Sequence, residues 1–301
     1  MPSEAFDRFM GALRSAPCEN PNRIGHAALR ALQDSRIPED ALPCPELQRE
    51  PCALNGVPCE WLRPPGAPLQ RALLYIHGGG WSLGTLKTTR LFLAPMVRRI
   101  GLNTVSVGYR LMPEHPFPAG LDDCLAAYTA LLEQGFAPRD LALMGESAGG
   151  NLVLALALRL KDEGLPPPGR LVAMSPVTYA DTLEGSHTSL IPLEHILADD
   201  SFVVTKAARL YAPHTPPEHP YISPLYGALG GLPPLLITVG TDEILFDDAL
   251  RFYQKARLSG VDATLLVGDH MVHSWPIFSE RFPEAAQAVE QIAQFLQGRT
   301  P

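Results

Sequence analysis

Positive charge is scarce in this 301-residue chain. Its 24 Lys and Arg stand against 32 Asp and Glu, for a formal net charge of −8, and the basic residues form no run longer than the Arg98-Arg99 pair. Such a surface has little hold on nucleic acid or an anionic membrane, so neither is expected as the main partner. A small neutral or weakly charged molecule is. Long apolar stretches are missing too, the longest running only from Leu152 to Leu158, far short of the roughly 20 residues that span a bilayer. No membrane span is expected. The five cysteines (18, 44, 52, 59 and 124) are an odd number, with no Cys-x-x-Cys and no histidines at zinc-finger intervals. Free thiols follow, with a Cys52–Cys59 link across a hairpin as the alternative. Met1-Pro-Ser-Glu shows no basic segment leading into an apolar one, so no signal peptide is expected and a cytoplasmic protein is. What is present in quantity is apolar: 46% hydrophobic against 19% charged residues describes a globular chain, long enough for one large α/β domain or two ordinary ones.

Seven stretches read as strands: Cys52 to Leu62, Ala72 to Ile76, Thr104 to Gly108, Leu141 to Met144, Leu171 to Met174, Leu235 to Val239 and Ala263 to Val267. Helical patterns separate most of the later ones, at Leu121 to Gln134, Asn151 to Glu163, Ala249 to Ser259 and Glu284 to Gln297. Strand alternating with helix predicts a mainly parallel sheet covered on both faces. Ahead of it, Phe6, Phe9, Met10 and Leu13 share one face of a short helix, a second helical stretch runs from about His26 to Asp34, and Pro38 to Pro51 reads as a connection. From Tyr179 to about Pro224 a polar, helical insertion breaks the rhythm. Insertions at the carboxyl edge of such a sheet lie over its active site. The chain therefore divides into an N-terminal helical cap segment (1–50) and a catalytic domain (51–301), with 180–224 adding to the cap.

The organising stretch is Leu141-Ala-Leu-Met-Gly-Glu-Ser-Ala-Gly-Gly-Asn-Leu, where a strand meets Gly145-x-Ser147-x-Gly149 and opens into a helix. That spacing is a nucleophile elbow, with Ser147 at the helix N-terminus and glycines where the turn leaves no room for side chains. Tyr75-Ile-His77-Gly-Gly-Gly80-Trp81 also follows a strand. Its bare backbone can turn N–H groups towards an oxyanion, with Gly78, Gly79, Gly80 and Ala148 as donors. No Lys-Ser/Thr or Gly-x-Gly-x-x-Gly follows to favour a phosphate. A serine nucleophile needs a histidine base and a carboxylate to fix its tautomer. Asp242, in the turn after a strand, is the first choice of acid, with Glu243, Asp247 and Asp248 as competitors; the last two suit the start of the following helix. Beyond the last strand, His270 and His273 both offer an imidazole.

These motifs resemble the hormone-sensitive-lipase-like branch of the α/β-hydrolases, which holds many bacterial carboxylesterases. The resemblance rests on His77-Gly-Gly-Gly-Trp81, Tyr109-Arg-Leu-Met-Pro-Glu-His-Pro-Phe-Pro-Ala119 with Asp122-Asp123, Gly145-Glu-Ser-Ala-Gly-Gly150, Ser223-Pro-Leu225, Asp242 and Met271-x-His273. It implies an α/β-hydrolase fold with a helical cap, an esterase of small acyl esters, no cofactor or metal, and Ser147, Asp242 and His273 as a triad. His270 is then a surface or loop-bracing residue. Two departures stand out: Glu146 replaces the usual Asp before the serine, and Glu-Ile-Leu-Phe follows Asp242 where Pro-Leu-Arg is usual. Arg110, Glu114 and Asp123 are given a structural role by analogy. Amidase, lactonase and thioesterase activities would use the same residues, a ligand-binding module on this fold is the rival from another class, and a homodimer is left open.

Overall fold

The computed structural model describes residues 2–15, 24–180, 184–197 and 204–299. Eight strands form one sheet in the order β1-β2-β4-β3-β5-β6-β7-β8. They are β1 (Gln48–Leu54), β2 (Val57–Arg63), β3 (Ala72–Ile76), β4 (Asn103–Val107), β5 (Leu141–Glu146), β6 (Arg170–Met174), β7 (Leu235–Gly240) and β8 (Ala263–Gly268). From β4 across to β8 every pairing is parallel, while β1 and β2 run antiparallel at one edge.

The stretch read as a single strand from Cys52 to Leu62 is the body of that edge hairpin. Asn55 and Gly56, at φ 46° and 83°, form a two-residue turn of the kind that Asn-Gly favours because both positions need left-handed backbone. The turn sets Cys52 opposite Cys59. Both are free thiols, as are Cys44 and Cys124; Cys18 lies outside the described residues.

Side chains alternate across the sheet and so build two apolar layers. Leu74, Ile76, Leu143, Leu171 and Ala173 face one layer, which holds α4 (Ala119–Glu133), α5 (Ala148–Asp162) and α8 (Phe246–Leu258). Leu73, Tyr75, Met144, Val172 and Leu236 face the other, with α3 (Leu86–Ile100) and α9 (Pro283–Leu296). Helix α5 is buried on nearly every side apart from Arg159, Lys161 and Asp162, which is why its sequence is apolar all round rather than striped. The elbow thus sits on the most deeply packed helix, and truncating a neighbour such as Leu143 to Ala would cost about 2–5 kcal/mol.

Outside this sandwich lie α1 (Glu4–Ser15), α2 (His26–Ser35), and, in the insertion, α6 (Ser186–Ser189) and α7 (Val204–Tyr211). The apolar face of α1 packs on the C-terminal region: Phe6 meets Phe282 edge-on at 5.1 Å and Phe9 meets Phe278 at 4.7 Å. Phe6 and Met10 join Met271, Val272 and Trp275 in one buried cluster. Helix α2 is tied down by Arg30, which donates to the Ser82 carbonyl at 2.6 Å and pairs with Glu114 at 2.8 Å. Among the described residues no helix is long and apolar enough to cross a membrane.

Candidate active site

Strand β5 ends at Glu146 and α5 begins at Ala148, leaving Ser147 alone in the turn at φ 57° and ψ −122°. A non-glycine residue here is strained and stays only because its surroundings fix it. The Ser147 N–H donates to the Met174 carbonyl at 2.8 Å. A Cβ on Gly145 would lie 2.5 Å from the Ile76 carbonyl oxygen, and one on Gly149 would lie 2.0 Å from the same atom. Both positions are therefore closed to any side chain.

The glycine loop after β3 faces this turn. Tyr109 stacks on His77 at 4.4 Å and donates its hydroxyl to the His77 carbonyl at 2.8 Å. Burial pushes His77 down to about 4, so its ring is neutral at pH 7. Its Nδ1 lies 2.8 Å from the Gly78 carbonyl, which can only accept, so Nδ1 carries the proton. Gly78 itself is not free to serve an oxyanion, because its N–H donates to Glu146 Oε1 at 2.7 Å. This corrects its inclusion among the donors: the carboxylate beside Ser147 claims it. Gly79 and Gly80 follow at φ 99° and 58°. Glu146 also accepts from the Tyr75 hydroxyl. Burial raises the Glu146 carboxyl to about 7, against the pull of these two donors.

Beyond β7 the acid turn departs from the first-choice reading. Asp242 does not face His273; its Oδ1 accepts from Thr241 and its Oδ2 lies 3.5 Å from Nδ1 of His270. Glu243 takes the place expected of it, with Oε2 2.6 Å from His273 Nδ1 and no exposed side-chain surface. The backbone explains the swap. The Asp242 N–H bonds to the Met271 carbonyl at 3.2 Å, and the turn sends the next side chain inward. There Glu243 Oε1 accepts from the Gly240 N–H at 2.6 Å and the Ser175 hydroxyl at 2.8 Å. The structure thus brings His273 and Glu243 together and leaves His270, with a 58% exposed side chain, at the surface.

Ser175 was missed by sequence reasoning. At φ 44° and fully buried, it donates to Glu243 and accepts from the Ser274 N–H at 2.9 Å, so one hydroxyl joins the acid and base turns. Its place at the carboxyl end of a strand next to the elbow was the available signal. Burial lowers His273, but the hydrogen bond and charge of Glu243, with Glu194 and Glu146 adding, raise it above the ordinary imidazole range. Burial likewise raises Glu243. The base turn and the elbow are tied to neighbouring residues at the end of β6, the Ser274 N–H to the Ser175 hydroxyl and the Ser147 N–H to the Met174 carbonyl. With Nδ1 engaged, Nε2 is the nitrogen left for proton transfer.

Asp247, Asp248 and Asp123 are engaged elsewhere. Asp247 and Asp248 lie in the first turn of α8; Asp248 receives the N–H groups of Thr178 and Tyr179 and pairs with buried His187 at 2.6 Å. Asp123 holds both the N–H and the guanidinium of Arg110. A cavity of about 400 Å3 lies where Phe6, Met10 and Arg14 of α1 approach Leu193, Asp242, His270 and Val272.

Residues 73–277 match the family described as alpha/beta hydrolase fold. The chain is 35% identical to an esterase of Acinetobacter venetianus over 95% of its own length and 94% of that protein's. It is 40% identical to an acetyl-hydrolase of Streptomyces hygroscopicus, covering 80% of each. A solved esterase from the bacterial hormone-sensitive lipase family superposes with a TM-score of 0.88 at 37% identity, each chain covered completely. A strained serine between a closed-in glycine pair, a neutral glycine loop facing it and a buried carboxylate-imidazole pair are what such enzymes need, and the chain belongs to the α/β-hydrolase family as a carboxylesterase of its hormone-sensitive-lipase-like branch.

Proposed function

We propose that this carboxylesterase works by serine catalysis on short acyl esters, with Ser147 as nucleophile, His273 as base and Glu243 as the acid that orients it. The observation that carries the reading is the Glu243–His273 contact of 2.6 Å beside the elbow. His273 Nε2 takes the Ser147 proton as Oγ adds to the ester carbonyl. The N–H groups of Gly79, Gly80 and Ala148 receive the oxyanion. Collapse expels the alcohol, which leaves with the proton from Nε2, and an acyl-serine remains. Water then gives its proton to Nε2 and adds to the acyl carbon; collapse returns that proton to Ser147 and frees the acid. No step calls for a metal or cofactor. The acetyl-hydrolase relative supports a small acyl group, and the N-terminal helices with the insertion are proposed as the cap that limits its size. A homodimer is proposed, with β8 as one of the sheet's two edge strands and Val267 on it 44% exposed; sedimentation velocity tests it.

Nitrophenyl esters of increasing acyl length, beside an amide, a lactone and a thioester, test the substrate class. Ser147→Ala tests the mechanism, with an expected loss of about a millionfold in kcat at unchanged stability. A serine-directed organophosphate should label Ser147 alone. Retention of more than about a tenth of the rate, or an adduct on another serine, rules the reading out.

A further inference from the structure

The insertion grips the acid turn at the residue after Glu243. Both backbone groups of Ile244 are held by it: the N–H donates to Glu194 Oε2 at 3.2 Å, and the carbonyl accepts from the Ser186 hydroxyl at 2.6 Å. Ser186 is locked in turn to Asp247, its N–H donating to Oδ2 at 2.9 Å while its hydroxyl accepts from the Asp247 N–H at 3.0 Å. Glu194 is 2% exposed. Its Oε1 accepts from the N–H groups of Ile196 and Leu197 at 2.7 and 2.9 Å. Three backbone donors thus converge on two oxygens, a set that a carboxylate satisfies and an amide cannot, because the amide NH2 would face a donor.

We propose that Glu194 is a positioning residue for ester hydrolysis, fixing the turn that carries Glu243 and placing a second negative charge behind the Glu243–His273 pair. The proposal rests on the roles assigned to Glu243 and His273 above. Acidic groups that bear on the imidazole come from three elements: Glu243 from the acid turn in direct contact, and Glu194 from the insertion and Glu146 from the elbow through charge alone. Each favours the imidazolium. When Ser147 gives up its proton, that cation forms in a site closed to water, where fixed charge acts strongly. Glu194 therefore couples the insertion over the site to the proton transfer beneath it, although it touches neither substrate nor base.

The test is the pH dependence of kcat/KM for p-nitrophenyl butyrate in Glu194→Gln, Glu194→Asp and Ser186→Ala. Removing the charge lowers the His273 pKa, so the acid limb of Glu194→Gln moves down by about half a pH unit, while kcat falls about fivefold from the lost Ile244 bond and KM holds. Ser186→Ala loosens the same turn without changing its charge, so its rate falls and its limb stays. Glu194→Asp keeps the charge and shortens the reach, so it too falls in rate with its limb in place. A folded Glu194→Gln with an unshifted limb overturns the proposal, as does a Ser186→Ala limb that shifts equally. If Glu194→Gln does not fold, Glu194→Asp decides, and a limb that moves down with its rate overturns the proposal. Glu243→Gln is measured alongside: if it keeps its rate, the underlying acid assignment fails, whereas an inactive Glu243→Gln beside an unmoved Glu194→Gln limb refutes the role of Glu194 alone.

Discussion

At the end of β5 the chain has no choice of residue, whereas at the end of β7 it has several. The elbow is fixed by collision, since a methyl group on Gly149 or Gly145 would meet backbone within 2.0 to 2.5 Å. The acid turn is fixed by side-chain direction among four carboxylates, Asp242, Glu243, Asp247 and Asp248, all within one short stretch. Backbone sterics leave a mark in the sequence that any reader finds. Side-chain direction at a turn depends on bonds made to residues far along the chain, here Met271 and Ser175.

The sharpest way to break this contrast is to exchange neighbours. Glu243→Gln should lower kcat by about ten-thousandfold, as loss of the orienting acid does in a triad, while Asp242→Asn changes it by less than about threefold, its partner being an exposed imidazole. Steady-state hydrolysis of p-nitrophenyl acetate decides, and the reverse ranking would restore Asp242.

The elbow has a carboxylate of its own, and it sets a pH dependence of stability. Because the folded-state pKa of Glu146 is about 7 against an ordinary 4.5, the native fold favours the protonated form. Its contribution is complete below about pH 4.5 and is lost as pH rises through about 7, by about 3 kcal/mol in all. Glu146→Gln keeps an acceptor for the Gly78 N–H and should flatten that part of the profile. Urea midpoints at pH 5 and pH 8 check it; an equal drop in the variant would show that the charge on Glu146 is not its source.

The smallest effect is expected where the two turns meet. Ser175→Ala removes one hydrogen bond to a charged group and one from the Ser274 N–H, and should cost about tenfold in kcat with KM unchanged. A stopped-flow burst that keeps its wild-type rate would assign Ser175 to folding alone.

Most of the sheet was legible because buried parallel strands are short apolar runs between helical patterns, and the strands from Ala72 onward fall within about two residues of their expected ends. The edge hairpin was legible only through the Cys52–Cys59 alternative, because Asn55-Gly56 sits inside a stretch that otherwise reads as one strand. In the site, Ser147 and His273 carried recognisable motifs. The acid did not. Yet the departure noted after Asp242, a Glu where Pro is usual, was itself the residue that reaches the base. Gly78 was misassigned because the three glycines look alike in sequence, and only the position of Glu146 Oε1 shows which N–H is taken. The face of Phe6, Phe9, Met10 and Leu13 was read correctly as a face, but its partners, Phe278 and Phe282, stand more than 260 residues away in sequence.

One consequence concerns how the enzyme lets go. His77 stays uncharged down to about pH 4, so the loop facing Ser147 presents dipoles rather than a cation. Oriented dipoles attract a full charge on one oxygen, as in the tetrahedral intermediate, more strongly than a carboxylate that spreads its charge over two oxygens and is well hydrated in bulk water. Above about pH 7 the buried charge on Glu146, directly behind the elbow, repels that carboxylate further. Under the serine mechanism proposed above, the liberated acid is thus held less firmly than the species that precedes it, and the site clears itself for the next ester.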